Sequence, residues 1–153
     1  MRRLMLAFAI CLCASAWAGG APSAQPTFSL GAFSIQRLEG CQSLIMLLPT
    51  SDAFSVNVTV LVKPYSGTLD DYIALSKQQF HEANWKLVTQ KKGESSWVAE
   101  SRGSTAGRDR HWYSKVVVHG KKAYTATGVA LETQWPSTSR RLKACVDSLR
   151  VAN

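Results

Sequence analysis

From Phe54 to Val62 the chain alternates without a break. Phe54, Val56, Val58, Val60 and Val62 fall on one side, and Ser55, Asn57, Thr59 and Leu61 on the other. A period of two is the signature of a half-buried strand. Such a strand needs neighbours in a sheet and a layer to cover its apolar face. Residues 85–90 and 95–102 flank Lys91-Lys92-Gly93-Glu94, and residues 112–119 and 123–131 flank Gly120-Lys121-Lys122. Both arrangements signal hairpins, and their strands are rich in β-branched and aromatic side chains. Residues 42–48 form a short apolar run stopped by Pro49, which reads as a buried strand. Residues 27–37 read as extended with a bend near Gly31, and the Gly-, Ser- and Arg-rich residues 103–110 as a loop.

Two segments have helical spacing. Thr68 offers a capping hydroxyl and Asp71, three residues on, its acidic partner. Leu69, Ile73, Phe80 and Ala83 follow at helical intervals, and the helix is expected to fray near Asn84. Near the C-terminus Leu142, Cys145, Val146 and Leu149 form a second apolar stripe, with Ser137 or Thr138 as the predicted cap.

The N-terminus carries an export pattern. Arg2 and Arg3 precede an apolar stretch over 4–14, and Ala16-Trp17-Ala18 presents small residues for cleavage before Gly19. The apolar stretch is too short to span a bilayer, which takes roughly 20 residues. Cys11 follows Ile10 and Cys13 follows Leu12, which does not suit lipidation. The expectation is a signal peptide over 1–18, a flexible leader over 19–26 and one domain over 27–153, released to the periplasm or secreted. Removing 18 of the 153 residues leaves 135 and takes the formal charge from +8 to +6. A chain of that length buries roughly two-thirds of its unfolded surface. Two cysteines remain after cleavage, Cys41 and Cys145. In an oxidising compartment a disulfide is the expected state; a pair of thiols, one of them reactive, is the other.

Phe54-Ser55-Val56-Asn57-Val58, Leu69-Asp70-Asp71-Tyr72-Ile73, Gly120-Lys121-Lys122-Ala123-Tyr124, Trp135 and Val146-Asp147-Ser148-Leu149-Arg150 occur in that order. The chain resembles the Mog/PsbP-like superfamily through these segments, and within it the DcrB-like bacterial envelope branch. The resemblance implies an α+β fold, an α/β/α sandwich in which a central antiparallel sheet of about six or seven strands is flanked by two helices. It also implies a non-enzymatic accessory or adaptor role, and it brings no shared catalytic motif. That is an argument by fold, not by site.

The chemistry-bearing residues point the same way. His111 and His119 sit eight residues apart on one predicted strand. That is roughly 26 Å, too far for one ion, and His81 has no second ligand at a suitable spacing. No metal or other cofactor is expected. There is no Gly-x-Ser-x-Gly elbow, and residues 103–107, though Gly-rich, lack the Lys-Ser or Lys-Thr of a phosphate loop. Asn57-Val58-Thr59 matches a glycosylation acceptor but lies inside a predicted strand.

Positive charge collects at Arg102, Arg108, Arg110 and His111, with Asp109 opposing. Lysines mark both hairpin tips, and Arg140, Arg141, Lys143 and Arg150 decorate the last helix. Alternation puts Trp112 and Tyr113 on opposite faces, so one of them is expected to be exposed beside the arginines. An aromatic beside arginines is a suitable binding hot spot. The predicted binding edge is therefore Arg102, Arg108, Arg110, His111, Trp112 and Tyr113. Its expected partner is an envelope protein, with an acidic one suited to the charge, and not nucleic acid. Two alternatives remain open: a periplasmic immunity protein that neutralises a delivered toxin, and a small exported hydrolase.

Overall fold

The computed structural model describes residues 27–30, 33–36, 42–49 and 54–152. The segments read as signal peptide and leader lie outside the described residues, as does Cys41. The chain divides into two units, Met1–Glu39 and Gly40–Asn153. In the first, β1 (Thr27–Leu30) pairs antiparallel with β2 (Phe33–Gln36), in the register Thr27↔Gln36 to Leu30↔Phe33.

The second unit holds a six-stranded antiparallel sheet and two helices. The elements run β3 (Ser43–Leu47), β4 (Asn57–Pro64), α1 (Leu69–Glu82), β5 (Lys86–Lys92), β6 (Ser96–Thr105), β7 (Arg108–His119), β8 (Lys122–Leu131) and α2 (Trp135–Asp147). The strand order is β3-β4-β8-β7-β6-β5. The alternating segment becomes β4 and starts three residues later than its pattern suggests, at Asn57. Val56 and Val58 are buried, as the alternation requires.

Register assigns each side chain to a face. Val58, Gly128, Tyr113 and Glu100 stand in one row across β4, β8, β7 and β6. Leu142 and Val146 of α2 lie over this face and pack with Val56, Val58, Ala126 and Ala130. A Cβ built on Gly128 would lie 3.3 Å from Leu142, so the absence of a side chain there is what lets α2 approach. The opposite face carries Trp97, Ala99 and Val116, and Leu69 and Ile73 of α1 pack against these. The two helices thus cover opposite faces of the sheet, as the resemblance implies.

Local chemistry explains the helix ends. Thr68 and Asp71 form a complete capping box: the Thr68 amide donates to Asp71 Oδ2 at 2.9 Å, and the Asp71 amide to Thr68 Oγ1 at 3.2 Å. The Thr68 amide and the Thr68 hydroxyl, which donates to the same Oδ2 at 2.7 Å, hold the Asp71 carboxyl below its ordinary value. The last helix departs from expectation. It begins at Trp135, ahead of Ser137 and Thr138, with Gln134 at the N-cap and no side-chain cap. Pro136 suits this first turn, where its missing N–H would have no partner in any case. The hydroxyls of Ser137 and Thr138 donate back to the Gln134 carbonyl at 3.0 and 2.8 Å. At the other end Lys115 of β7 reaches across and donates to the carbonyls of Asp147 (2.9 Å) and Leu149 (3.0 Å). A cation on those carbonyls offsets the negative end of the helix dipole. Cys145, on α2, is half-buried against the core and is a free cysteine in this structure. No helix among the described residues is long and apolar enough to cross a membrane.

Residues 103–110, read from composition as a loop, are instead the tip of a hairpin. β6 runs on to Thr105, and β7 begins at Arg108. Only Ala106 and Gly107 turn, both left-handed with φ of 52° and 71°. Two left-handed residues match the twist of the strands they join. Full pairing from Gly103↔Arg110 to Thr105↔Arg108 overrides the loop-like composition.

Candidate partner-binding site

The predicted binding residues all lie at this hairpin tip, but the sheet separates them. Arg102, His111 and Tyr113 point to the α2 face, while Arg108, Arg110 and Trp112 point to the α1 face. The two sets have different fates.

On the α2 face, His111 is 5% exposed and forms the centre of a charged network. Its Nε2 lies 2.9 Å from Glu100 Oε1 and its Nδ1 2.9 Å from Glu132 Oε2. Trp135 stacks on the imidazole at 3.9 Å with a 6° interplanar angle. Lys143 of α2 donates to Glu100 Oε2 at 2.8 Å, and Arg102 lies 3.7 Å from Glu132 Oε1. Burial alone would raise the Glu100 carboxyl. The hydrogen bonds and charges of Lys143 and His111 outweigh it and hold the group below its ordinary 4.5. The network ties β6, β7, α2 and the turn after β8 together, so His111 serves the fold rather than offering a contact.

Tyr113 is half-buried on the same face, with Lys143 5.2 Å above its ring. Its hydroxyl faces Asp147 at 3.1 Å. Burial, then the hydrogen bond to Asp147, pushes its phenol up to about 12 from 10.0. A phenol raised in the folded state adds stability that is complete below pH 10.0 and is lost as pH rises toward 12. In a spectrophotometric titration of the folded protein, Tyr113 is expected to ionise near pH 12, and Tyr113→Phe to remove that step. Loss of the step at pH 10 instead would show that the Asp147 contact does not form in solution.

On the α1 face, Trp112 is 8% exposed. Trp85 stacks on it at 4.1 Å and 17°. Trp85 also lies over Gly103, where an added Cβ would come within 2.5 Å of its indole. The exposed aromatic expected beside the arginines is therefore absent: Trp112 is covered by Trp85, and Tyr113 is engaged by α2. Alternation assigned their faces, but the covering residues come from distant parts of the chain.

Arg108 is exposed and Arg110 half-buried. Neither takes part in the salt bridges formed among the described residues. The Arg110 guanidinium lies 5.0 Å from the Phe54 ring centroid. Beside it an open depression of about 550 Å³ is lined by Phe54, Arg108, Asp109, Leu131, Glu132 and Thr133. A second, of about 260 Å³, is lined by Arg102, Gly103, Ser104, Asp109, Arg110 and Glu132. Phe54, Leu131 and Glu132 escaped the sequence reading because they come from other strand ends. Only the sheet brings them to this tip. Among the described residues no group of histidine, cysteine and carboxylate side chains is placed to hold a metal ion.

A six-stranded antiparallel sheet with one helix on each face is an α+β sandwich of the PsbP type. The PsbP family model matches residues 69–151, more than half of the chain. The protein belongs to the PsbP family. The crystal structure of PA94 from Pseudomonas aeruginosa, a protein of unknown function, superposes with a TM-score of 0.64. The match has 14% identity and covers 84% of this chain and 97% of that one. At that identity the likeness concerns the fold alone. The solution structure of cyanobacterial PsbP (CyanoP) from Synechocystis sp. PCC 6803 matches with a TM-score of 0.49 and 13% identity, over 88% of this chain and 99% of that one. No curated protein matches the chain.

Proposed function

We propose that this PsbP-family protein is an exported, non-enzymatic accessory protein of the cell envelope. It binds a partner protein through the β6–β7 tip, and the partner surface is acidic. One observation carries the reading. Arg108 lines an open depression with Phe54, Arg110 lies 5.0 Å from the Phe54 ring, and neither arginine has a salt-bridge partner among the described residues, on a domain whose formal charge after cleavage is +6. Unpaired arginines next to an aromatic and a concave surface are the composition of an interface centre. The other arginine and histidine of the tip are held by Glu132 and Glu100, which leaves this pair for a partner. Export would also place Cys41 and Cys145 in an oxidising compartment, where the pair is expected to close.

The test is an affinity capture from envelope extract with the exported protein as bait, at low and moderate salt. The wild type is expected to retain one acidic protein at both salts. Arg108→Glu with Arg110→Glu is expected to reduce that capture about tenfold or more, with Tm lower by no more than about 4 °C. Equal capture by the double variant would remove the tip as the interface. Capture that vanishes at moderate salt would mean non-specific attraction to a basic surface.

A further inference from the structure

A second concave surface lies at the other end of the sheet. β7 runs from Arg108 at the β6–β7 tip to His119, so Lys115, Val117 and His119 stand toward its far end, on the face that α2 covers. The helix ends at Asp147, where Lys115 meets its carbonyls, and only residues 149–151 continue beside this part of the strand. They enclose a cavity of about 250 Å³. Lys115, His119 and Arg150 line it, and no carboxylate does. None of the three has a salt-bridge partner among the described residues. Lys122 pairs with His119 in register and adds a further cation on the same face. We propose that this cavity binds a phosphate monoester whose alcohol part is apolar, carried either by a soluble molecule or by a lipid headgroup. The site is separate from the β6–β7 tip and goes beyond the reading above.

The donors select the anion. Lys115 uses two of its three N–H groups on the carbonyls of Asp147 and Leu149, which fixes its ammonium beside the cavity with one donor left. Arg150 donates from Nη1 to the same two carbonyls at 2.6 and 2.9 Å, which leaves its Nε and Nη2 donors. Both cations are thus positioned before a ligand arrives. Burial, then the positive charge of Arg150, pulls the Lys115 ammonium below its ordinary 10.5, and Asp147 offsets this only in part. Like charges held this close favour an anion between them. Ser95 and Ser96 add hydroxyls from the neighbouring strand end, where Ser96 pairs with Val117. That is more donors than the two oxygens of a carboxylate employ, and they suit the three terminal oxygens of a monoester, whose charge is about −1.5 to −2 at pH 7. Val117, Leu149 and Val151 supply an apolar wall for the group that bears the phosphate. The volume is at the small end for ligand sites, which run from roughly 300 Å³ upward, so one phosphate and a short substituent fill it.

The test uses the full exported protein with phenyl phosphate, inorganic phosphate and benzoate as soluble probes. Phosphatidylcholine vesicles with and without phosphatidic acid are the lipid probe. Soluble binding is followed by NMR at the Val117 and Val151 amides, and vesicle binding by co-sedimentation. Phenyl phosphate is expected to shift both amides and to bind about tenfold more tightly than benzoate and about threefold more tightly than inorganic phosphate. Arg150→Gln is expected to weaken binding about tenfold, and the exposed His119→Gln and Ser95→Ala about threefold each. Arg141→Gln, exposed on α2, should change nothing. Phenyl phosphate binding without vesicle binding would support the site and identify a soluble ester as its ligand. Vesicle binding that needs phosphatidic acid and falls in Arg150→Gln would support it and identify the headgroup. Inorganic phosphate binding as tightly as phenyl phosphate would overturn the assignment to an ester. Benzoate binding as tightly as phenyl phosphate, no binding of phenyl phosphate or of phosphatidic acid vesicles, or binding indifferent to both Arg150→Gln and His119→Gln would overturn the site itself.

Discussion

Glu100→Ala is expected to cost about 3–5 kcal/mol, more than any other single change at the tip. Glu100 is 8% exposed and accepts from both His111 and Lys143, at 2.9 and 2.8 Å. Removing it leaves Lys143 and the His111 ring, which is only 5% exposed and held against Trp135, without their common partner. The cost is mainly that of leaving buried polar groups without their partner, not the net worth of the pair. Glu132→Ala should cost much less, about 1 kcal/mol, because its side chain is 40% exposed and water replaces it. Urea unfolding of the two variants measures both. Equal costs would show that the buried network is not closed in solution.

The same residue gives an acid signature. The folded carboxyl lies below its ordinary 4.5, so its stabilisation is complete above that value and disappears as pH falls through the lower, folded one. The wild type should therefore lose stability below pH 4.5, and Glu100→Gln should lose less over the same interval. Parallel acid curves would exclude Glu100 as a source of the slope.

Leu142→Ala is expected to cost about 2–5 kcal/mol. Leu142 is 1% exposed and joins α2 to Val56, Val58, Ala126 and Ala130. Its site is tight because it seats directly on Gly128, where an added Cβ would be 3.3 Å away. The Gly128→Ala methyl meets Leu142 at both Cβ and Cδ2, each at 3.3 Å, and the Leu142→Ala background removes the Cδ2 contact. The double variant should therefore be about 1 kcal/mol more stable than the sum of the single changes predicts. Strict additivity would mean that α2 does not rest on Gly128.

What the residues alone disclosed was local. The unbroken alternation of β4, the Thr68–Asp71 capping box and both Lys-rich turns each depend on near neighbours, and each appears in the structure within a few residues of its expected place. Together with the order of elements they were sufficient for the sandwich and for the PsbP resemblance. Two local readings failed where distant contacts decided the outcome. Residues 103–110 look like a loop until the two strands pair across them, and Ser137 or Thr138 looks like the cap of α2, whereas the helix begins at Trp135 behind Gln134, which bonds Leu131 and Phe54.

The site was less legible for the same reason. Neighbours in a strand point to opposite faces, so Arg110 and His111, adjacent in the chain, meet different layers of the protein. His111 is taken up by Glu100, Glu132 and Trp135, and Trp112 by Trp85, all from other elements. The chain's own order placed the charged residues at one hairpin tip. Only packing of the two helical layers determined which of them were buried as structure and which, like Arg108, were left exposed beside Phe54 and Leu131.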